Sequence, residues 1–308
     1  MKIVAWDGKP ISKAGIYSGV PMSAYHSGRL CIGPSISSSG LRTIFSESEA
    51  HYWDQSPLNP NAAPRTETES FIKGRAMHHL TAGEKFFSKE FVVQPDALEG
   101  EPWQGNRKAC KKWMKAAADS GITVLKPQWI EDIKGMAIAL GKEPLVRAGA
   151  LNGEIECTMA WPDEETGVWL LARPDVIPTS SGDVVDLKTT TSVKYEKLVR
   201  AIGDYGYHQQ GALIAEGYRV LVGRPIASFS LYFIESSRPY CARMVTLKDE
   251  DLKLGAQHNR NAVRRFVEAL NNNYWAGPGG RQDAVQYIEI SDYARGAAEA
   301  RLKFEGTD

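Results

Sequence analysis

Ala172-Arg173-Pro174-Asp175, ten intervening residues, then Asp186-Leu187-Lys188 is the stretch that decides the fold. The run Asp183–Thr189 is rich in β-formers, and Asp186 and Lys188 stand two apart within it. On a strand, residues two apart share one face. Val185 and Leu187 then point the other way, into a core. A carboxylate and an ammonium therefore project together from an otherwise apolar strand. Asp175 sits at the end of the preceding expected strand, Val168–Ile177, where a hairpin partner would bring it alongside. Earlier still, Glu154–Trp161 alternates with period two. Ile155, Cys157, Met159 and Trp161 fall on one side, Glu156 and Thr158 on the other. Pro162–Gly167 and Pro178–Gly182 carry turn chemistry. Such short connections predict an antiparallel meander.

Working outward, helical spacing predicts helices over Thr66–Ala82, Asn106–Ala118 and Pro127–Leu140 before the strands. After them come a helix, Tyr205–Val222, a strand, Ala227–Glu235, a second strand, Cys241–Leu247, and a long helix, Lys248–Asn272. The first 65 residues are rich in Ser, Gly and Pro. Ser35–Gly40 reads as a loop there, with Ser39 or Gly40 capping a short helix over Leu41–Trp53. Ser56–Arg65 reads as a second loop, and Ser291–Phe304 as a terminal helix. This order predicts an α/β (α+β) fold with a central mixed β-sheet flanked by helices. The expected divisions are an N-terminal extension packing on the core (1–65), the core (66–275) and a C-terminal tail (276–308).

Composition sets the outer limits. Of 308 residues, 43% are hydrophobic and 24% charged, enough apolar material for a sizeable core. Lys plus Arg and Asp plus Glu are each 37, so basic patches must be local if the partner is a polyanion. Cys31, Cys110, Cys157 and Cys241 are scattered without metal-ligand spacing, which argues against a zinc or iron–sulfur site. No apolar run is long enough to span a membrane, and a cytoplasmic location is expected.

Three carboxylates, Glu156, Asp175 and Asp186, would converge with Lys188 on one edge of the sheet. Close anions repel unless neutralised, and a hard dication with oxygen ligands does that. Magnesium is the expected ion, with manganese able to substitute. Glu154, two residues from Glu156 on the same face, is the rival for its place. The ammonium of Lys188 would hold or activate a metal-bound water facing a phosphodiester. Lys73 and Arg75 are placed to meet phosphate. The helix carrying Lys108, Lys111, Lys112 and Lys115 is a candidate for backbone contacts, or a solvated charged face.

Pro174-Asp175…Asp186-Leu187-Lys188 is the PD-(D/E)XK nuclease signature, and its surroundings resemble the exonuclease domain of the RecE type (exonuclease VIII). The resembling pieces are Ile36–Leu41, Gly74-Arg75-Ala76-Met77-His78, Trp161–Gly167 leading into Arg173, Asp186–Thr190 and Asp204–Gln210. The resemblance implies a restriction-endonuclease-like core. It implies Asp175, Asp186 and the backbone carbonyl of Leu187 as metal ligands, with Glu156 aligned to a family glutamate. Lys188, His78 and Gln210 would complete the catalytic set. His79 lies about 100° around the helix from His78, so both cannot face the site. The family usually has a tyrosine four residues after the glutamine, where this chain has Ile214. The implied activity is magnesium-dependent 5′-to-3′ digestion of linear double-stranded DNA from its ends. It would leave 3′ tails for a phage single-strand annealing protein. The implied assembly is a homo-oligomer, a ring-shaped tetramer around the DNA. An endonuclease of the same superfamily is the first rival reading. A non-catalytic DNA clamp ranks below it, because every signature residue is present.

Overall fold

The computed structural model of the chain describes residues 1–62, 68–82, 87–88, 90–179, 181–280, 285 and 287–305. The strands are β1 (Ile3–Ala5), β2 (Gly15–Ser18), β3 (Ser35–Ser37), β4 (Phe91–Val93), β5 (Ala97–Leu98), β6 (Glu101–Pro102), β7 (Thr123–Leu125), β8 (Glu154–Ile155), β9 (Thr158–Pro162), β10 (Trp169–Ala172), β11 (Val176–Ile177), β12 (Asp183–Thr190), β13 (Ser228–Glu235) and β14 (Ala242–Thr246). The helices are α1 (Met22–Tyr25), α2 (Ser38–Ser46), α3 (Glu49–Asp54), α4 (Glu69–Ala82), α5 (Lys108–Asp119), α6 (Pro127–Lys142), α7 (Pro144–Arg147), α8 (Tyr195–Asp204), α9 (Tyr207–Val222), α10 (Asp249–Asn272) and α11 (Asp292–Glu305).

Mixed sheets flanked by helices are found, but the strands divide between two five-stranded sheets. One runs β1-β2-β9-β10-β3 and the other β14-β13-β12-β11-β8. The expected single strand Glu154–Trp161 breaks into β8 and β9, one in each sheet. Val168–Ile177 likewise breaks into β10 and β11. The physical cause is local. Glu156 has φ 56, a left-handed turn that ends the period-two pattern. Opposite it, Pro174 has no N–H to donate to a ladder. The backbone N–H of Glu156 donates to the Asp175 carbonyl at 3.2 Å, so the two breaks sit side by side. Both hairpins are antiparallel as expected, whereas β12 pairs with β13 in parallel over eight residues.

Several boundaries move for reasons of capping. Ser35–Ser37 is a strand parallel to β10. Ser37, not Ser39 or Gly40, caps α2 through its Oγ, which accepts from Gly40 N at 3.4 Å. The expected helix Leu41–Trp53 is two helices, because Ser48 starts a new one by accepting from His51 N. α8 was not foreseen. Gly206, at φ 62, separates it from α9. Through β1, β2 and β3 the segment before residue 66 is built into the first sheet. Thr66, the expected start of α4, lies outside the described residues, as does that division at 65/66.

The faces of β12 set the core. Val184 packs with Leu231, Phe233, Leu213 and Trp161 in a cluster between the sheets and α9 and α10. Val185 and Leu187 join Met77, Ile133, Met136 and Tyr232 under α4 and α6. The strand is thus buried on both sides. Gly255 lets α10 lie against α9, since a Cβ there would stand 2.3 Å from the His208 carbonyl. Among the described residues no helix is long and apolar enough to cross a membrane.

Candidate active site

Alternation along β12 turns Asp186 and Lys188 to the face covered by α9, as the spacing requires. Asp186 is 1% exposed and its Oδ2 is ion-paired with the Lys188 ammonium. Its Oδ1 accepts from Gln210 Nε2, on the first turns of α9, at 3.1 Å. Extending the β11–β12 register from Val176 opposite Val185 by two residues sets Pro174 opposite Leu187. Proline cannot donate there, so the Leu187 carbonyl lacks that ladder partner. The Leu187 N–H goes instead to Asp175 Oδ2 at 2.6 Å. N–H and C=O of one strand residue point to the same edge, so the Leu187 carbonyl faces the side where Asp175 sits. From α4, His78 Nδ1 meets Asp175 Oδ1 at 3.0 Å.

Charge in this group is unevenly held. Burial pushes the Asp186 carboxyl up, and the anion of Asp175 pushes it further, against the pull of Lys188. Asp175 is also buried, but His78, Lys188 and the Leu187 N–H outweigh burial and hold its carboxyl below the ordinary range. Burial opposes the Lys188 charge, yet Asp186 and Asp175 overcome it and raise its pKa. His78 is raised likewise, burial being outweighed by Asp175. Two carboxylates, one of them reluctant to ionise, thus share one buried site with Lys188 and His78. Gln210 Oε1 is buried with no hydrogen-bond partner among the described residues. Carboxylate, carbonyl and amide oxygens form a donor set that fits a hard divalent cation such as magnesium.

The structure does not bring Glu156 to this pair. Its left-handed backbone turns it off the strand face, and its Oε2 accepts from Arg173 Nε at 2.8 Å. Glu154 is exposed on β8. Among the described residues no three His, Cys, Asp or Glu side chains close on one point. Lys73 and Arg75 are not presented to the site either. Lys73 Nζ pairs with Asp132 on α6 at 2.8 Å. Arg75 bonds Glu90 and, at 2.7 Å, Thr123 Oγ1, with its guanidinium over Phe91. His79 turns away toward Glu90 and Phe91. Ile214 is 1% exposed and serves the core.

Three neighbours escaped the sequence reading as site residues. The Lys188 ammonium lies 5.2 Å from the centre of the Tyr207 ring. Tyr207 is three residues before Gln210, a helical spacing that could have flagged it. Arg42 donates to the Tyr205 carbonyl at 2.7 Å and its charge is felt by Asp186. Arg173 neutralises Glu156. Nothing local in the sequence signals the last two, because their partners come from distant segments.

Residues 37–287 match a family described as a PDDEXK-like domain of unknown function (DUF3799). Among solved structures, the chain superposes on one described as a "Putative exonuclease" from Eubacterium rectale. The TM-score is 0.56 and the identity 14%, over 85% of this chain and 93% of that one. At such identity the likeness is one of fold. A phage-related exonuclease from Haemophilus somnus 129PT matches at TM-score 0.32 and 12% identity, over 78% of this chain and 96% of that one. That superposition is too loose to inform the fold. No curated protein matches the chain.

Proposed function

Because the chain belongs to the DUF3799 family of PDDEXK-like domains, whose restriction-endonuclease-like fold it has, we propose that it is a magnesium-dependent nuclease that digests DNA from duplex ends. One observation carries this reading: Asp175, Asp186, Lys188, Gln210 and His78 meet beside the Leu187 backbone. Asp175, Asp186, the Leu187 carbonyl and Gln210 Oε1 are the groups that would hold magnesium, or manganese in its place. When bound, the ion supplies Lewis acidity at a phosphoryl oxygen and a lowered pKa for its water. Lys188 keeps its proton beside the carboxylates and orients the attacking water by donating to it or to the phosphate. Gln210 fixes the Asp186 carboxylate, and His78 fixes Asp175. Phosphodiester hydrolysis is among the slowest uncatalysed reactions, so preorganised charge of this kind is what the chemistry needs.

The RecE-type resemblance supplies the finer reading: 5′-to-3′ digestion of linear duplex DNA, leaving 3′ tails for a single-strand annealing protein. The same resemblance suggests a tetrameric ring and a place in phage-type recombination. The name of the Eubacterium rectale protein points toward exonuclease rather than endonuclease action.

Linear duplexes labelled at either 5′ or 3′ ends, with a closed circle alongside, test this directly. Magnesium should release 5′ label first and leave the circle intact, and a chelator should stop all digestion. Lys188→Ala should cut at least 100-fold more slowly while still binding the duplex. Cleavage of the circle would replace the exonuclease reading by an endonuclease one. Full activity of the Lys188 variant would remove the site from the chemistry altogether.

A further inference from the structure

Helix α5, Lys108–Asp119, carries Lys108, Lys111, Lys112 and Lys115, spaced i, i+3, i+4 and i+7. That spacing gathers four cations into one stripe about 10 Å long. All four are exposed. The opposite side is anchored by Cys110, which is fully buried, and by half-buried Trp113, whose ring meets Trp103 edge-on. Lys115 has an exposed ion pair with Asp119. The ammonium groups of Lys108, Lys111 and Lys112 have no partner among the described residues.

For the helix alone this arrangement is a poor one. Like charges three and four apart repel across every neighbouring pair of the stripe. Three of the four cations lie in the first half of the helix, toward the end where the dipole disfavours them, and the first turn holds no acidic residue. Its N-cap residue, Arg107, makes no side-chain capping bond. The chain as a whole balances 37 basic with 37 acidic residues, yet Asp119 is the sole acidic residue of this helix. Such a stripe is complementary in charge to a polyanion.

The helix is also tied to the site. It runs through Gly121, at φ 70, into β7, where Thr123 accepts from Arg75 of α4. His78 follows three residues later on the same helix. We propose that the lysine face of α5 grips the phosphate backbone of duplex DNA away from the scissile bond. This rests on the nuclease reading, and it assigns phosphate contact to α5 rather than to Lys73 and Arg75, which are occupied within the protein. A 10 Å stripe matches the rise of about three base pairs, so it would neutralise about three phosphates.

The test is the salt dependence of binding. A fluorescent blunt duplex would be titrated with the full chain, in chelator so that nothing is digested. The comparison variant is K108Q/K111Q/K112Q/K115Q, with the four-fold Lys→Arg variant as the charge-retaining control. The slope of log affinity against log salt should fall in magnitude by about 2–3 in the glutamine variant and hold in the arginine variant. The glutamine variant should melt no lower than wild type, because repulsion has been removed. An unchanged slope would overturn the proposal while leaving the nuclease reading intact. Failure of the wild-type chain to bind any duplex would sink both. Vesicles of phosphatidylserine and phosphatidylcholine form the remaining arm. Charge-dependent capture there, with no change toward DNA, would make the stripe a lipid-binding face and overturn the assignment to DNA.

Discussion

Two buried aspartates, Asp163 and Asp186, are 4% and 1% exposed, and they meet opposite fates. Asp163 is saturated. Arg260 grips it through two hydrogen bonds of 2.9 and 2.6 Å, and Thr166 adds its N–H and hydroxyl. Burial would push its carboxyl up, but those partners outweigh burial and hold it below the ordinary range. Asp186 has a lysine and a glutamine too, yet burial first and the anion of Asp175 second hold its carboxyl above that range. The first carboxylate closes a turn of the first sheet onto α10. The second shares its lysine's neighbourhood with another carboxylate. The lesson is that burial by itself does not mark a functional acid. What differs between the two is the partner set: a closing arginine for Asp163, a second carboxylate beside Asp186.

Mutating both positions to the isosteric amide sharpens the contrast, and the largest effect should be on rate. If the proposed magnesium site is right, Asp186→Asn should lower nuclease activity by on the order of 1000-fold, since it removes a proposed ligand and the partner of Lys188 together. Its thermal midpoint should change little, because relief of burial cost and of repulsion with Asp175 offsets the ion pair lost with Lys188. A clear drop in that midpoint would mean Asp186 is a structural acid like Asp163.

Asp163→Asn should do the reverse. Activity should stay within a few-fold of wild type, and stability should fall by about 2–3 kcal/mol in denaturant titration. That lies under the value for a fully buried pair because Arg260 remains 30% exposed. Loss of activity at unchanged stability would break the comparison from the other side.

The smaller effects concern pH and the lysine. Asp163 has a depressed folded pKa, so its stabilisation is present above the ordinary carboxylate value and is lost as pH falls through the folded one. Asp186 has a raised folded pKa, so its contribution runs oppositely, present at low pH and lost as pH rises through the folded value. Acid unfolding of Asp163→Asn should therefore begin from a lower plateau and slope less steeply as pH falls below the ordinary carboxylate range. Smallest of all, Tyr207→Leu should reduce turnover by about 3–10-fold, the scale of one cation–π contact, while Tyr207→Phe keeps most activity. Equal loss in both variants would assign the role to the hydroxyl.

Much of this was legible in the sequence, and the reason is geometric. Residues two apart on a strand share a face whatever surrounds them, so Asp186 and Lys188 had to project together. Pro174 cannot donate to a ladder, yet Val168–Ile177 reads as one strand, and the break beside Asp175 emerged only in the fold. The long helices α4, α5, α6, α9 and α10 were legible, whereas α1, α7 and α8 were not and α2 with α3 read as one, and ends moved by a few residues where a serine or Gly206 decided the cap.

What only the tertiary structure decided is who meets whom. Lys73 and Arg75 looked free for phosphate until Asp132, Glu90 and Thr123 claimed them. Glu156 looked like a strand-face ligand until a left-handed turn and Arg173 removed it. Asp163 and Arg260 are 97 residues apart, as are His78 and Asp175. Local spacing dictates which side chains point the same way, because backbone geometry is short-ranged. Charge pairing is a long-range property of the folded chain, and only the fold closes Arg260 on Asp163 while setting Asp175 beside Asp186.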